Sequence, residues 1–196
     1  MAMFCKCPHC AHRCELPLLF EREGFKVGVE VGVLHGNYSR SLLSRWSGLL
    51  HLIDPWRNYE GYDELMSASP GLQDHEHNLQ ETMKVLSGFH PRRYKVHRTF
   101  SNEYVADQIG TVDFAYIDGN HALKWVTQDL EVWWQHVRPG GILAGHDLFQ
   151  VGVPDVTEAL VLFANRVGAE VFMVPGKDGC PCGEGGVPSW YIRKEG

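Results

Sequence analysis

Two polar clusters close apolar runs in the second half of the chain. Asp118-Gly119-Asn120-His121 follows VDFAYI, and His146-Asp147 follows GILAG. Together they present two carboxylates and two imidazoles. Oxygen and imidazole donors of this kind hold a divalent cation, or form a hydrogen-bonded polar cluster without one. A buried group of acids needs a counter-charge, which favours the cation. An imidazole titrates near neutrality, so His121, three residues after Asp118, suits the role of a general base. A histidine in a solvent-facing loop fits the same position equally well.

Another apolar run ends in Glu30-Val31-Gly32-Val33-Leu34-His35-Gly36-Asn37-Tyr38-Ser39. Gly32 and Gly36 allow a sharp turn and close approach of a ligand. Ser39 opens a helical pattern, where backbone amides point outward. The spacing is not G-x-G-x-x-G, which counts against a dinucleotide pyrophosphate site. Asp54 ends LLHLID, at a point where an acid can accept hydrogen bonds from ribose hydroxyls. Alone it could equally be a helix cap. The turn and the acid together point to a nucleoside-type ligand.

These residues need elements to position them. Val27, Val29 and Val31 alternate and predict a strand. Leu42, Leu43 and Trp46 fall at helical spacing, and LLHLID predicts a second strand. Residues 72–87 carry Leu79, Met83 and Leu86 on one helical face, and RYKVHR predicts a third strand. Ser101 is placed to cap a short helix containing Tyr104, Val105 and Ile109. VDFAYID predicts a fourth strand, and Val126, Leu130, Trp133 and Val137 a helix that Arg138-Pro139-Gly140-Gly141 stops. GILAGHD predicts a fifth strand, and Asp155 caps a helix with Val156, Leu160, Phe163 and Val167 on one face. EVFMV and SWYIRK are joined by a Gly/Pro-rich loop and predict an antiparallel hairpin. The expected class is α/β: a mostly parallel seven-stranded sheet with helices on both faces and a C-terminal antiparallel hairpin. Ligands of such sheets sit beyond the carboxyl ends of the strands, where the polar clusters lie.

A chain of 196 residues suits one domain with a sizeable core. Lys plus Arg is 18 against 24 Asp plus Glu, so the net charge of −6 gives no reason to expect nucleic acid as a partner. No apolar run approaches a membrane span, and MAMFCKCPHCAHRC lacks the apolar stretch of a secretory signal. A cytoplasmic enzyme acting on a small molecule is the expectation, with no membrane partner; a homodimer stays open.

Cys5, Cys7, Cys10 and Cys14 crowd a Cys/His-rich leader, residues 1–24, ahead of a main domain spanning 25–196. Cys7-Pro8-His9-Cys10 has zinc-knuckle spacing. Cys5 and Cys14, or Cys180 and Cys182 from the hairpin loop, would complete a structural zinc site; disulfides and free thiols are the alternatives. Trp56, Tyr59 and Tyr62, with His75 and His77 nearby, would line a substrate pocket or simply pack. Arg92, Arg93, Lys95 and Arg98 form a basic run that reads as a solvated face or a contact for an anionic substrate.

The ordered set of these motifs resembles the class I S-adenosylmethionine-dependent methyltransferases. Within that class it is similar to small metal-dependent O-methyltransferases of the catechol O-methyltransferase type and their bacterial relatives. The motifs are EVGVLHGNYS, Asp54, VDFAYIDGNH and RPGGILAGHD, in that order, over roughly residues 25–195. The resemblance implies a Rossmann-like fold. It implies S-adenosylmethionine over Glu30 and Gly32, with Gly36 and Ser39 in the cradle, Asp54 on the ribose and Ser101 near the adenine. Asp118, His146 and Asp147 would take the metal-ligand positions. His121 stands where the catechol enzymes carry a catalytic lysine, so His121 and Asp118 are the implied catalytic pair. His146 departs from the pattern, since relatives mostly have an acid there. A neutral imidazole makes Mn²⁺, Fe²⁺ or Zn²⁺ easier to accept beside Mg²⁺. The implied activity is metal-assisted methyl transfer to a hydroxyl of a small molecule. The alternatives are a NAD-dependent oxidoreductase, or a zinc-stabilised binding module on an inactive methyltransferase fold.

Overall fold

The computed structural model describes residues 4–8, 10–59, 74–178 and 186–196. Eight strands form one sheet in the order β1-β7-β8-β6-β5-β2-β3-β4. In chain order the elements are β1 (Phe4–Lys6), α1 (Leu16–Arg22), β2 (Val27–Val31), α2 (Asn37–Arg45), β3 (Leu49–Asp54), α3 (His75–Leu86), β4 (Tyr94–Arg98), α4 (Glu103–Ile109), β5 (Val112–Ile117), α5 (Leu123–His136), β6 (Val137–Gly145), α6 (Pro154–Val167), β7 (Val171–Val174) and β8 (Ser189–Arg193). Among the described residues, β8 alone runs antiparallel to its neighbours, pairing with β6 and β7.

Alternation along the strands divides the core between the two faces. Leu50, Leu52, Phe114, Tyr116 and Ile142 join one buried cluster with α1 and α2 residues such as Phe20 and Leu42. Val29, Val31, Ile53, Ala115, Ile117 and Leu143 join the other, with Val105, Leu130 and Leu160 from α4, α5 and α6. The chain leaves β2 toward β3 and β4, and leaves β5 toward β6. The order therefore reverses between β2 and β5, which opens a crevice at their carboxyl ends.

Several local boundaries differ from expectation. The eighth strand, Phe4–Lys6, pairs parallel with β7 through Cys5 opposite Phe172; its three residues are too few to show a period of two. Val137 does not lie on the α5 face. It starts β6, opposite Val112, and the strand runs through Arg138-Pro139-Gly140-Gly141 because Gly140 N–H and Lys194 N–H bond across to Lys194 and Gly141. Asn102, not Ser101, caps α4 by accepting from Val105 N–H. Asp155 lies inside α6 after Pro154, and its carboxylate accepts from Leu123 N–H at 2.9 Å, tying the starts of α5 and α6 together. Tyr62, His9, Cys180 and Cys182 lie outside the described residues.

Candidate active site

The carboxyl ends of β2, β3, β5 and β6 border a cavity of about 500 Å³. Backbone bonds carry the ladder past the strands and fix these ends against one another: Gly32 N–H to Ile53 O, Asp118 N–H to Val31 O, and His146 N–H to Ile117 O. Gly32 has φ +81°, and a Cβ there would lie 2.0 Å from the Asp118 carbonyl oxygen, so any other residue would force these strand ends apart. Leu34, Trp56 and Asp147 all line the cavity with φ between 39° and 58°. Left-handed non-glycine residues store strain of order 1–3 kcal/mol each, and such strain gathers at functional sites.

At one end of the cavity, Arg13 and two histidines meet two acids. Asp118 Oδ2 lies 3.1 Å from Arg13 Nη2, and Asp118 Oδ1 lies 3.7 Å from His146 Nδ1. Asp147 Oδ1 lies 3.1 Å from the same His146 nitrogen, and Asp147 Oδ2 lies 3.0 Å from His121 Nε2. Burial alone would push the Asp147 carboxyl up, but hydrogen bonds from His121 and His146 outweigh it and hold the group well below the usual carboxylate range. Burial alone would lower His146; the Asp118 charge and the Asp147 hydrogen bond outweigh it and raise the imidazole above its ordinary value. Trp190 Nε1 donates to the His146 carbonyl at 2.9 Å and anchors the cluster to β8.

Donor atoms of Asp118, His121 and Asp147 lie within 4.8 Å of one another, a mixed oxygen and nitrogen set that fits a divalent cation. His121 thus joins the converging donors, while the same His146 nitrogen hydrogen-bonds Asp147 and faces Asp118 at 3.7 Å. The Arg13 guanidinium brings a second positive charge to the same acids.

The other expected residues divide between wall and support. Glu30, Gly32, Asp54, Ser101 and Asp118 line the cavity. Ser39 is fully buried, and its hydroxyl donates to Glu30 at 2.5 Å. Burial pushes the Glu30 carboxyl up to about 8 against that bond. Gly36 caps α2 in the left-handed conformation. Asp54 Oδ2 accepts from Val33 and Leu34 N–H, and Oδ1 from Trp56 N–H. A carboxylate has about four acceptor positions, so roughly one remains toward the cavity. Leu34 O accepts from Trp56 Nε1 and Thr82 Oγ1, which locks the first turn against β3 and α3.

Trp56, Tyr59 and His75 line the cavity; of the expected basic run, Arg93 instead donates to the carbonyls of Gly48, Leu43 and Trp46. The reading of residue types missed Arg13, Trp125 and Asp129. Arg13 is 4% exposed and stacks over Tyr38, its guanidinium carbon 4.3 Å from the ring centroid. Nothing in the leader's spacing distinguishes it from a surface arginine. Trp125 and Asp129 were legible only as helix positions one turn apart on α5.

The leader cysteines lie elsewhere. Among the described residues Cys5, Cys7, Cys10 and Cys14 form no disulfide with one another. Cys5 Sγ donates to Glu170, Cys7 Sγ to the Tyr191 hydroxyl, and the neighbouring Cys7 thiol and burial hold Cys10 far above the usual thiol range. Among the described residues they form no group of three metal donors.

The family model described as a methyltransferase domain matches residues 29–148. No curated protein matches the chain. Solved structures share its fold at low identity. An O-methyltransferase from Bacillus cereus in complex with SAH is 14% identical, with a TM-score of 0.60, covering 96% of this chain and 84% of that one. An O-methyltransferase from Streptomyces achromogenes involved in tomaymycin synthesis, in complex with SAM, is 10% identical, with a TM-score of 0.57 over 92% and 78% of the two chains. A precorrin-6y C5,15-methyltransferase from Geobacter metallireducens is 15% identical, with a TM-score of 0.58 over 91% and 85%. This similarity does not separate oxygen from carbon acceptors.

Proposed function

The chain belongs to the methyltransferase-domain family, and from that premise we propose that it transfers the methyl group of S-adenosylmethionine to a hydroxyl of a small molecule. The observation that carries the reading is one cavity with two differently equipped ends. Glu30, Asp54 and Ser101 stand along its wall as acceptors for a nucleoside-type cofactor, and His121 backed by Asp147 stands beside them. The cofactor's sulfonium supplies an electrophilic methyl group.

A hydroxyl is a poor nucleophile until its proton leaves. His121 Nε2 faces Asp147 Oδ2 at 3.0 Å, the arrangement of a base oriented by a carboxylate. His121 is the proton acceptor, and Asp147 stabilises the imidazolium that forms. Such general-base assistance contributes about 10²–10⁴-fold. His146 and Arg13 lie against the remaining carboxylate oxygens of the two acids, and the hydrogen bonds from His121 and His146 keep Asp147 ionised. Tyr59, Phe100 and Trp125 give the acceptor region an aromatic lining suited to a flat or apolar hydroxylated molecule.

The convergence of Asp118, His121 and Asp147 within 4.8 Å favours a second reading, in which these three hold a divalent cation. Bound there, it would lower the pKa of a substrate hydroxyl.

Melting with added ligand tests the cofactor. S-adenosylhomocysteine should raise the melting temperature, and NAD should not. A shift with NAD alone would favour an oxidoreductase, and no shift with either would favour an inactive binding module. Labelled cofactor with a panel of hydroxylated metabolites then identifies the acceptor.

A further inference from the structure

The mechanism uses Arg13 but not the cysteines that precede it on the same segment. Cys7 and Cys10 have C-x-x-C spacing, and both are 4% exposed in the buried cluster that includes Tyr191. Their side chains are in hydrogen-bonding contact. Cys7 Sγ also lies 3.8 Å from the Tyr191 hydroxyl. The pair sits between two anchors of the leader. On one side, Cys7 N–H donates to Met173 O at 2.7 Å, which carries the β1–β7 pairing one residue further. On the other, Arg13 reaches Asp118, and the Tyr38 hydroxyl donates to Arg13 O at 3.3 Å.

Two thiols in contact at this spacing need only lose two protons and two electrons to become a disulfide. The surroundings assign their roles. Cys10 keeps its proton, because the contact with Cys7 and burial hold it far above the usual thiol range. Burial and the Cys7 sulfur push Tyr191 well above its ordinary value, so its hydroxyl keeps its proton too. An ionised Cys7 is therefore met by two donors, the Cys10 thiol and the Tyr191 hydroxyl, and hydrogen bonds to the charged form favour it. Both sulfurs are nearly buried. A reagent reaches them when β1, three residues long and at the edge of the sheet, lifts from β7.

We infer that Cys7 and Cys10 form a reversible disulfide that acts as a redox clamp on the leader. The oxidant is a low-molecular-weight disulfide of the glutathione kind. The Cys7 thiolate attacks one of its sulfurs, which forms a mixed disulfide and expels one thiolate. Cys10 then attacks Cys7 Sγ, which forms the Cys7–Cys10 bond and expels the second. Two electrons pass from the pair to the reagent, and the two protons of the pair end on the expelled sulfurs. The new bond draws the sulfurs to about 2.05 Å. It lies between the two anchors, so it alters the path by which the leader delivers Arg13 to Asp118.

Mass spectrometry of the full chain tests this directly. Trypsin cleaves after Lys6 and Arg13, and the peptide between those cuts contains Cys7 and Cys10 and no other cysteine. The protein is equilibrated in buffers of rising oxidised-to-reduced glutathione ratio, alkylated in denaturant and digested. The peptide should pass from two alkyl groups to none, with the loss of two hydrogens, and dithiothreitol should return it to two. Two alkyl groups at every ratio, a glutathione adduct that persists, or a cross-link to another peptide would overturn the inference. So would one zinc per chain in the purified protein that Cys10→Ser loses, because the pair would then be metal ligands. Melting tests the clamp. Oxidation should shift the melting temperature of the wild type, and the shift should shrink in Arg13→Met, since coupled sites are not additive. No shift in the wild type, or equal shifts in the two proteins, would overturn the link to Arg13. The wild-type mass readout stands whether or not either variant folds.

Discussion

Arg13 Nη2, carried by the N-terminal segment, lies 3.1 Å from Asp118 Oδ2 at the end of a central strand. The two residues are 105 positions apart in sequence. With His146 and His121, this contact gives each oxygen of Asp118 and Asp147 a nitrogen of the same chain within 3.7 Å. The leader is thus part of the site's electrostatics, beyond the strand and the packing it adds to the sheet.

Arg13 is 4% exposed and the Asp118 side chain 15%, so the pair is largely withdrawn from water. Removing one partner of a buried pair leaves the other charge uncompensated, at about 3–5 kcal/mol. Arg13→Met keeps much of the stem over Tyr38 while deleting the charge. It should lower unfolding free energy by roughly 3 kcal/mol in urea titrations. Asp118→Asn in the same chain should restore most of that loss. Equal stability of wild type and Arg13→Met would mean the pair contributes nothing.

Asp54 holds the first turn through Val33, Leu34 and Trp56 N–H groups. Asp54→Ala should therefore lower both the melting temperature and the affinity for S-adenosylhomocysteine. Each hydrogen bond to a charged group contributes roughly 1.5–3 kcal/mol, so the affinity should fall at least about tenfold. Asp54→Asn retains one acceptor oxygen and should lie between. An Asp54→Ala protein with wild-type affinity by calorimetry would remove Asp54 from the cofactor site.

Most of the architecture was legible because periodicity reports burial. The Val27, Val29, Val31 alternation and the run VDFAYI became adjacent central strands. Strand ends then located Glu30, Asp54, Asp118, His146 and Asp147 around one cavity without any knowledge of contacts. The failures are of another kind. Val137 fits the helical period of α5, but a ladder of long-range hydrogen bonds claims it for β6. Asp155 has the residue type of a cap, yet its carboxylate serves a different helix. Arg13 gains its place beside Asp118 only from packing between distant segments, and a linear pattern carries no trace of that.

Glu30 gives a pH dependence with a definite sign. Burial, opposed by the Ser39 hydrogen bond, raises its carboxyl from 4.5 to about 8 in the folded protein. Below about pH 4.5 it is protonated in both states, and its contribution to stability is fully present. As pH rises toward about 8, the unfolded chain ionises first and stability is progressively lost. Glu30→Gln removes this titration while leaving an oxygen for Ser39 to donate to. The cofactor-free variant should match wild type at about pH 4 and melt higher at about pH 8, by about 2–4 °C for each kcal/mol relieved. Parallel melting curves across that range would place the ionised carboxylate in a better-solvated position.

The last prediction separates the two readings of the acid cluster. Its carboxylate oxygens are already matched by Arg13, His146 and His121, so the chain supplies its own counter-charge. Chelation with EDTA should then leave the melting temperature and the affinity for S-adenosylhomocysteine unchanged. Under the base reading, turnover should survive chelation too. His121→Ala should lower kcat by about 10²–10⁴-fold with KM little changed, because proton acceptance is lost while binding is kept. Raising the pH should partly rescue that variant by supplying substrate already ionised. Under the cation reading, EDTA abolishes turnover and an added divalent metal restores it. Asp147→Ala would mimic chelation, and His121→Ala would bind less metal by elemental analysis, since both residues belong to the converging donor set. Turnover lost on chelation and regained with metal would retire His121 as the free base and leave it as a ligand beside Asp118 and Asp147.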